Sequence, residues 1–229
     1  MLSKRAKRRQ RRIIHELDGN PEKLRGDNSE EGMRHHAEYI LKCIQAPYGA
    51  RVLDLGCGDG RVLLKMREIR PDLHFSGMDL CSKLVQNAKV LNPGVVIAVG
   101  NCLEEVPFRD GFDRVVSFSF GQYFTHREFI HLNRMLLTKL YPRGMIVHCS
   151  IPDLTKRWRY EIKDRRGLWA LSKGFLKWLV FSPTRTYDPA SYWHHPGELA
   201  TALSNVSEVS LRFPSDSWYR FDLQLGGVT

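Results

Sequence analysis

The chain has 229 residues, 42% hydrophobic and 26% charged, with a formal net charge of +10. That length suits one domain with a sizeable core, and no apolar run approaches the roughly 20 residues a membrane span needs. Cys43, Cys57, Cys81, Cys102 and Cys149 are scattered, odd in number and without a CxxC pair. This argues for reduced thiols in a cytoplasmic protein and against a disulfide framework or a metal site.

The charge is uneven. Residues 1–12 carry seven bases and no acid, and residues 156–185 carry nine bases against Glu161 and Asp164. Each segment is therefore +7, which leaves −4 for the remainder of the +10 total. No apolar stretch follows the basic start, so it does not read as a secretory signal. Residues 1–27 are expected to be a basic tail, a solvated charge run first and a nucleic-acid or anionic-membrane contact second. Residues 28–229 are expected to form a single domain.

In chain order, a helix is expected from Asn28 or Ser29, with Met33, Ala37, Ile40, Leu41 and Ile44 on one face. His35 and His36 flank that stripe and read first as surface histidines, second as substrate contacts. Strand-like and helix-like segments then alternate. Arg51–Leu55 is a strand and Gly60–Ile69 a helix; His74–Asp79 is a strand and Ser82–Leu91 a helix. Val95–Val99 and Phe112–Phe118 are strands, Arg127–Leu140 a helix and Met145–Cys149 a strand. Continuous apolar strands alternating with helices predict a parallel sheet covered on both faces, with ligand at the strands' carboxyl ends. Residues 154–195 are basic and aromatic, and read as a cap insertion. A helix over Pro196–Ser204 follows, and Ser207–Phe213 and Tyr219–Leu225 read as a closing hairpin.

The segment VLDLGCGDG, residues 52–60, ends the first strand. Glycine permits positive φ and close approach of a ligand to the backbone. The dinucleotide fingerprint is G-x-G-x-x-G, whereas Gly56, Gly58 and Gly60 are spaced G-x-G-x-G. Asp54 stands two residues before the first glycine. A pyrophosphate is repelled by that carboxylate, and a cationic cofactor is attracted to it.

Asp54-Leu55-Gly56-Cys57-Gly58-Asp59-Gly60 resembles the first motif of the class I S-adenosylmethionine-dependent methyltransferases. Gly77-Met78-Asp79-Leu80-Cys81 is similar to the acid-ended second strand, and Gly100-Asn101-Cys102-Leu103 to the adenine segment, where the family often has Asp. Residues 107–116 and 140–147 resemble the fourth strand and the turn before the fifth, with Arg143 where glycine is common. The match spans roughly residues 30–153. It implies a Rossmann-like, doubly wound, mostly parallel seven-stranded sheet with a C-terminal antiparallel hairpin and a helical cap insertion. It implies S-adenosylmethionine as cofactor, held by Asp54, Gly56, Cys57, Gly58, Gly60, Asp79, Leu80, Asn101, Cys102 and Ser117. Taken singly, Asn101 reads as a turn residue and Asp113 as a surface acid.

The implied reaction is in-line methyl transfer, for which alignment supplies much of the catalysis. No Asn-Pro-Pro-aromatic motif and no Pro-Cys nucleophile stands at the fourth-strand end, against DNA base methylation. Tyr123, His126 and His194 are the candidate catalytic groups, with His195 beside them. The basic, aromatic insertion points to a small anionic acceptor methylated at oxygen or nitrogen. The alternatives are an RNA methyltransferase, contact with anionic lipid through Lys173 and Lys177, or a non-catalytic cofactor-binding protein.

Overall fold

The computed structural model describes residues 14, 29–157, 187–188, 191–214 and 219–226. The basic run 1–12 and most of the cap insertion, including Lys173 and Lys177, lie outside the described residues.

Helix α1 spans Glu30–Ile44. The Ser29 side chain accepts from the Gly32 amide at 3.0 Å, and Glu30 and Glu31 stand at the positive end of the helix dipole. Its buried face carries Met33, Ala37, Ile40, Cys43 and Ile44. Next come β1 (Arg51–Leu55), α2 (Arg61–Ile69), β2 (His74–Asp79), α3 (Ser82–Leu91), β3 (Val96–Val99) and β4 (Phe112–Phe118). Helix α4 (His126–Leu137) begins with a complete capping box, Thr125 and Glu128 each satisfying the other's backbone. Strand β5 (Leu140–Pro152) is longer than the apolar core of its sequence suggests, because Leu140 already pairs with Phe112 before a register shift, after which Met145 pairs with Arg114. Arg143 lies within that shift at φ 63°, which is why a glycine suits this position.

The described ends of the insertion form a short ladder, β6 (Tyr187–Asp188) with β7 (Ser191–Tyr192). The periodicity does not forecast this ladder. Helix α5 (Pro196–Leu203) follows, then β8 (Glu208–Arg212) and β9 (Arg220–Gly226), the expected antiparallel pair.

The main sheet has the order β3-β2-β1-β4-β5-β9-β8. Its first five strands are mutually parallel, and β9 inserts antiparallel between β5 and β8. One apolar layer holds Leu53, Leu55, Val115, Phe129, Leu132, Leu199 and Leu203, beneath α4 and α5. The other holds Ala37, Ile40, Leu63, Met66, Val85 and Ala88, beneath α1, α2 and α3. Helices thus cover both faces of the central strands, whose Val52, Leu53, Leu55, Val115 and Val116 are fully buried. Asp113 is not a ligand group: its carboxylate accepts from the Arg51 amide at 2.8 Å and fixes the start of β1.

Gly60 ends the glycine turn at φ 80° as the residue capping α2. A Cβ there would meet the Ala88 Cα at 2.9 Å and the Asn92 side chain at 2.7 Å, so its bare Cα is what lets α2 and α3 close together. Asn92 donates to the Gly60 carbonyl at 3.0 Å. Gly60 therefore serves packing and does not line the cleft described below. Gly60→Ala is expected to cost roughly 2–4 kcal/mol, from left-handed backbone plus overlap. Gly49 has φ 71° but open space about it, so Gly49→Ala carries the backbone cost alone, about 1 kcal/mol. Urea unfolding of the two variants separates the terms; equal losses would contradict this packing role.

Candidate active site at the carboxyl ends of the strands

Parallel β1 and β2 bring two acids to one end of the sheet, since Asp54 pairs with Gly77 and Leu55 with Met78. After β1 the chain turns through Gly56, Gly58 and Gly60, at φ 80°, 56° and 80°. The amides of this turn are spent inside the protein. Those of Gly56 and Cys57 both donate to the Met78 carbonyl, at 2.7 and 3.1 Å. That of Gly58 donates to Asp79 Oδ2 at 3.1 Å, and the Cys81 amide donates to Oδ1 at 2.8 Å. A turn with these amides engaged is not an anion cradle. It presents carboxylates and carbonyls to whatever binds, so the site has the electrostatic sign of a cation receptor.

Asp54 is 6% exposed. Burial, and then the charge of Asp79, push its carboxyl up to about 7. Burial also raises Asp79, opposed by the hydrogen bonds from its amide donors. None of the ion pairs among the described residues includes either acid. Asp59, by contrast, is paired with Arg61 Nε at 2.6 Å. Two neighbouring carboxylates, Asp54 buried and Asp79 half-buried, with no ion-paired base among the described residues, fit a ligand that brings its own positive charge and hydroxyls.

The cleft around them is lined by Met33, His36 and Ile40 of α1, by Asp54–Asp59, by Met78–Cys81, by Gly100–Cys102, and by Phe118, Ser119, Phe120, Tyr123 and Phe124. Asp54, Gly56, Cys57, Gly58, Asp79, Leu80, Asn101 and Cys102 come together here as the sequence leads one to expect. Asn101 Oδ1 accepts from the Leu103 amide at 3.2 Å, so its side chain also braces its own turn. Burial pushes the Cys102 thiol up to about 12, keeping it a neutral wall group.

Ser117 stands apart from this group. It is fully buried, and its hydroxyl bonds His148 Nδ1 at 2.7 Å, while His148 Nε2 bonds Asn133 Oδ1 at 2.9 Å. A carbonyl oxygen only accepts, so Nε2 carries the hydrogen and Nδ1 accepts from Ser117. Burial lowers His148 to about 3, so this chain is a neutral core network.

Of the three candidate catalytic groups, only Tyr123 lines the cleft. His126 begins α4, lies 3.8 Å from Glu198 and is lowered by burial. His194 is 1% exposed, bonds the Gly121 carbonyl through Nε2 at 2.9 Å, and is lowered by burial to about 4. His195 caps α5. These three hold the rejoining chain to the core. His36 does enter the cleft, its ring tilted 35° against Phe118 with centroids 4.4 Å apart. Its place beside the α1 stripe was the sequence signal.

Phe118 to Phe124 form the opposite wall, and their signal in the sequence was only aromatic composition. The Phe120 ring lies under Gly56, where a Cβ would fall 2.4 Å from it. Ser119 and Ser150, at the ends of β4 and β5, have φ 51° and 64° and hydroxyls 3.4 Å apart. Left-handed backbone at two non-glycine residues marks a region held by its surroundings, as is common beside functional sites.

Two outcomes follow for ligand binding. With a folded-state value near 7, Asp54 holds its proton below neutrality, and a cationic ligand must displace it. S-adenosylmethionine affinity is therefore expected to rise, approaching tenfold per pH unit between pH 5.5 and 7. Above this it should flatten, and Asp54→Asn should abolish the slope, as read by titration calorimetry. A slope unchanged in Asp54→Asn would contradict the assignment. Gly56→Ala is expected to weaken the same binding at least tenfold by displacing Phe120.

The comparisons with known proteins agree with this geometry. Residues 52–144 match a family model described as a methyltransferase domain. Over 105 residues the chain is 28% identical to the tRNA (carboxymethyluridine(34)-5-O)-methyltransferase of Saccharomyces cerevisiae, covering 45% of this chain but only 36% of that protein. The N-methyltransferase NodS from Bradyrhizobium japonicum WM9, solved with S-adenosyl-L-homocysteine, has a similar fold: TM-score 0.61 at 14% identity, over 98% of this chain and 99% of that one. The putative methyltransferase in complex with the Haloferax volcanii Trm112 activator gives TM-score 0.58 at 18% identity, over 88% and 94% of the two chains. The matched segment holds the glycine turn, both acids and β4, so the likeness to a methyltransferase domain, and the resemblance to the class I S-adenosylmethionine-dependent methyltransferases, fall on the residues that build this cleft.

Proposed function

We propose that this protein transfers the methyl group of S-adenosylmethionine to an oxygen or nitrogen of a small anionic acceptor. The observation that carries this reading is the wall facing the acids. Phe118, Phe120, Tyr123 and Phe124 line it, with the His36 ring packed against Phe118. Apart from the acids and thiols of the strand-end turns, His36 and Tyr123 are the titratable groups lining the cleft among the described residues. Bound at the acids, the cofactor supplies an electrophilic methyl group on a sulfonium. The aromatic wall excludes water and fits a planar or apolar acceptor body. His36 accepts the proton that an attacking hydroxyl or ammonium must lose, since imidazole takes up protons near neutral pH. The nine bases of residues 156–185 favour an acceptor with negative charge.

A second reading, methylation of RNA, is favoured by a specific likeness. The yeast relative is a tRNA methyltransferase, and the seven bases of residues 1–12 suit phosphate contact. On that reading an activator protein, as in the Haloferax volcanii complex, is the expected partner.

The test is label transfer from methyl-labelled S-adenosylmethionine to two pools, a polar small-molecule extract and bulk tRNA. The account expects label in small molecules retained by an anion exchanger. Label confined to tRNA would favour the RNA reading, and cofactor binding without label in either pool would point to a non-catalytic relative. With an acceptor in hand, His36→Gln is expected to lower turnover about 100-fold while cofactor affinity stays within about twofold.

A further inference from the structure

We propose that Cys43 and Cys149 are an oxidation site, a buried thiol pair that closes to a disulfide between α1 and β5. The two sulfurs and a carboxylate oxygen of Asp222 all lie within 4.8 Å of one another. Arg212 Nη1 stands 3.3 Å from the Cys43 sulfur. Both Asp222 oxygens are engaged, Oδ1 accepting from the Ser150 amide at 2.9 Å and Oδ2 from the Tyr39 hydroxyl.

The two thiols are unequal. Cys43 is lowered, first by a hydrogen bond from the Cys149 thiol and further by the Arg212 charge, against its burial. Cys149 is pushed up as the donor in that bond and by burial. One sulfur with thiolate character beside an arginine, within 4.8 Å of a protonated sulfur, is the pairing of an attacking and a resolving thiol. The same three groups could be thought to bind a divalent cation. However, Arg212 already supplies the positive charge beside Cys43, and both Asp222 oxygens accept hydrogen bonds.

Hydrogen peroxide, small enough to reach a residue that is 4% exposed, is the oxidant. The Cys43 thiolate attacks one peroxide oxygen, the O–O bond breaks, hydroxide leaves and a sulfenic acid forms. The Cys149 sulfur then attacks the Cys43 sulfur, the S–O bond breaks, and the hydroxyl leaves with the Cys149 proton as water. The two sulfurs lose two electrons, and peroxide is reduced to water. Closing the sulfurs to about 2.0 Å draws α1 toward β5. Met33, His36 and Ile40 of α1 wall the cleft, and Ser150, next to Cys149, touches Ser119. Cys57 and Cys102 are raised by burial, so they stay protonated and react slowly.

The test exposes the full chain, kept in EDTA, to hydrogen peroxide, then unfolds it in an alkylating agent for mass spectrometry. The expected result is loss of two of the five alkylatable thiols, a mass lower by two hydrogens, and a Cys43–Cys149 linked peptide that dithiothreitol releases. Cys43→Ser should leave its remaining four thiols alkylatable, and the wild-type peptide map decides even where that variant fails to fold. Retention of all five thiols would overturn the proposal, as would a disulfide joining other cysteines or Cys43 sulfinic acid beside a free Cys149. Zinc bound at one per chain before EDTA treatment would also overturn it, in favour of a metal site.

Discussion

The Asp79 carboxylate is the clasp on which the site depends. It takes the amides of Gly58 and Cys81, while the carbonyl of its neighbour Met78 takes those of Gly56 and Cys57. These bonds join the turn after β1 to the end of β2, and they consume the donors that would otherwise attract an anion. What remains facing the cleft is negative. Each link is simple: parallel pairing brings the acids together, three left-handed glycines bend the turn, and burial raises the acids. Together they select a ligand that carries a cation.

The remainder of the fold serves that arrangement. The two helix-covered faces of the sheet hold β1 and β2 in register, and α2 and α3 close over the turn because Gly60 has no side chain. On the other side, α4 is fixed by its capping box, and β4 ends in a strained serine and a phenylalanine that packs under Gly56. The paired acids and the aromatic wall are therefore built by opposite halves of the sheet that meet at the β1–β4 boundary. The antiparallel β9 adds Asp222 beneath α1, tying the last strand to the helix that walls the cleft.

Much of this was legible in the sequence. Strands covered on both faces carry apolar stretches bounded by turn residues, so β1, β2 and β4 announce their limits. The acid before the glycines and the acid ending β2 carry a chemical meaning that survives without coordinates. The errors have physical causes. Gly60 shares the spacing of the ligand-facing glycines, yet its absent side chain serves helix contact. Ser117 sits one residue before the cleft wall, and strand alternation turns it into the core toward His148. His194 and His126 lie near the site in sequence but are committed to Gly121 and α4. His36 and Phe120 were weak signals because their roles arise from contacts with distant strands. The Cys43, Cys149 and Asp222 cluster joins residues on three separate elements, and no local spacing encodes it.

The most direct measurement is calorimetric titration of the wild type and of Asp79→Ala with S-adenosylmethionine, its demethylated product and NAD, with far-ultraviolet circular dichroism confirming that the variant is folded. The account predicts that the wild type binds the first two and not NAD, and that the folded variant binds none. Tight NAD binding, or S-adenosylmethionine binding that survives loss of the Asp79 carboxylate, would contradict the reading of the glycine turn and its paired acids as a receptor for a cationic nucleoside.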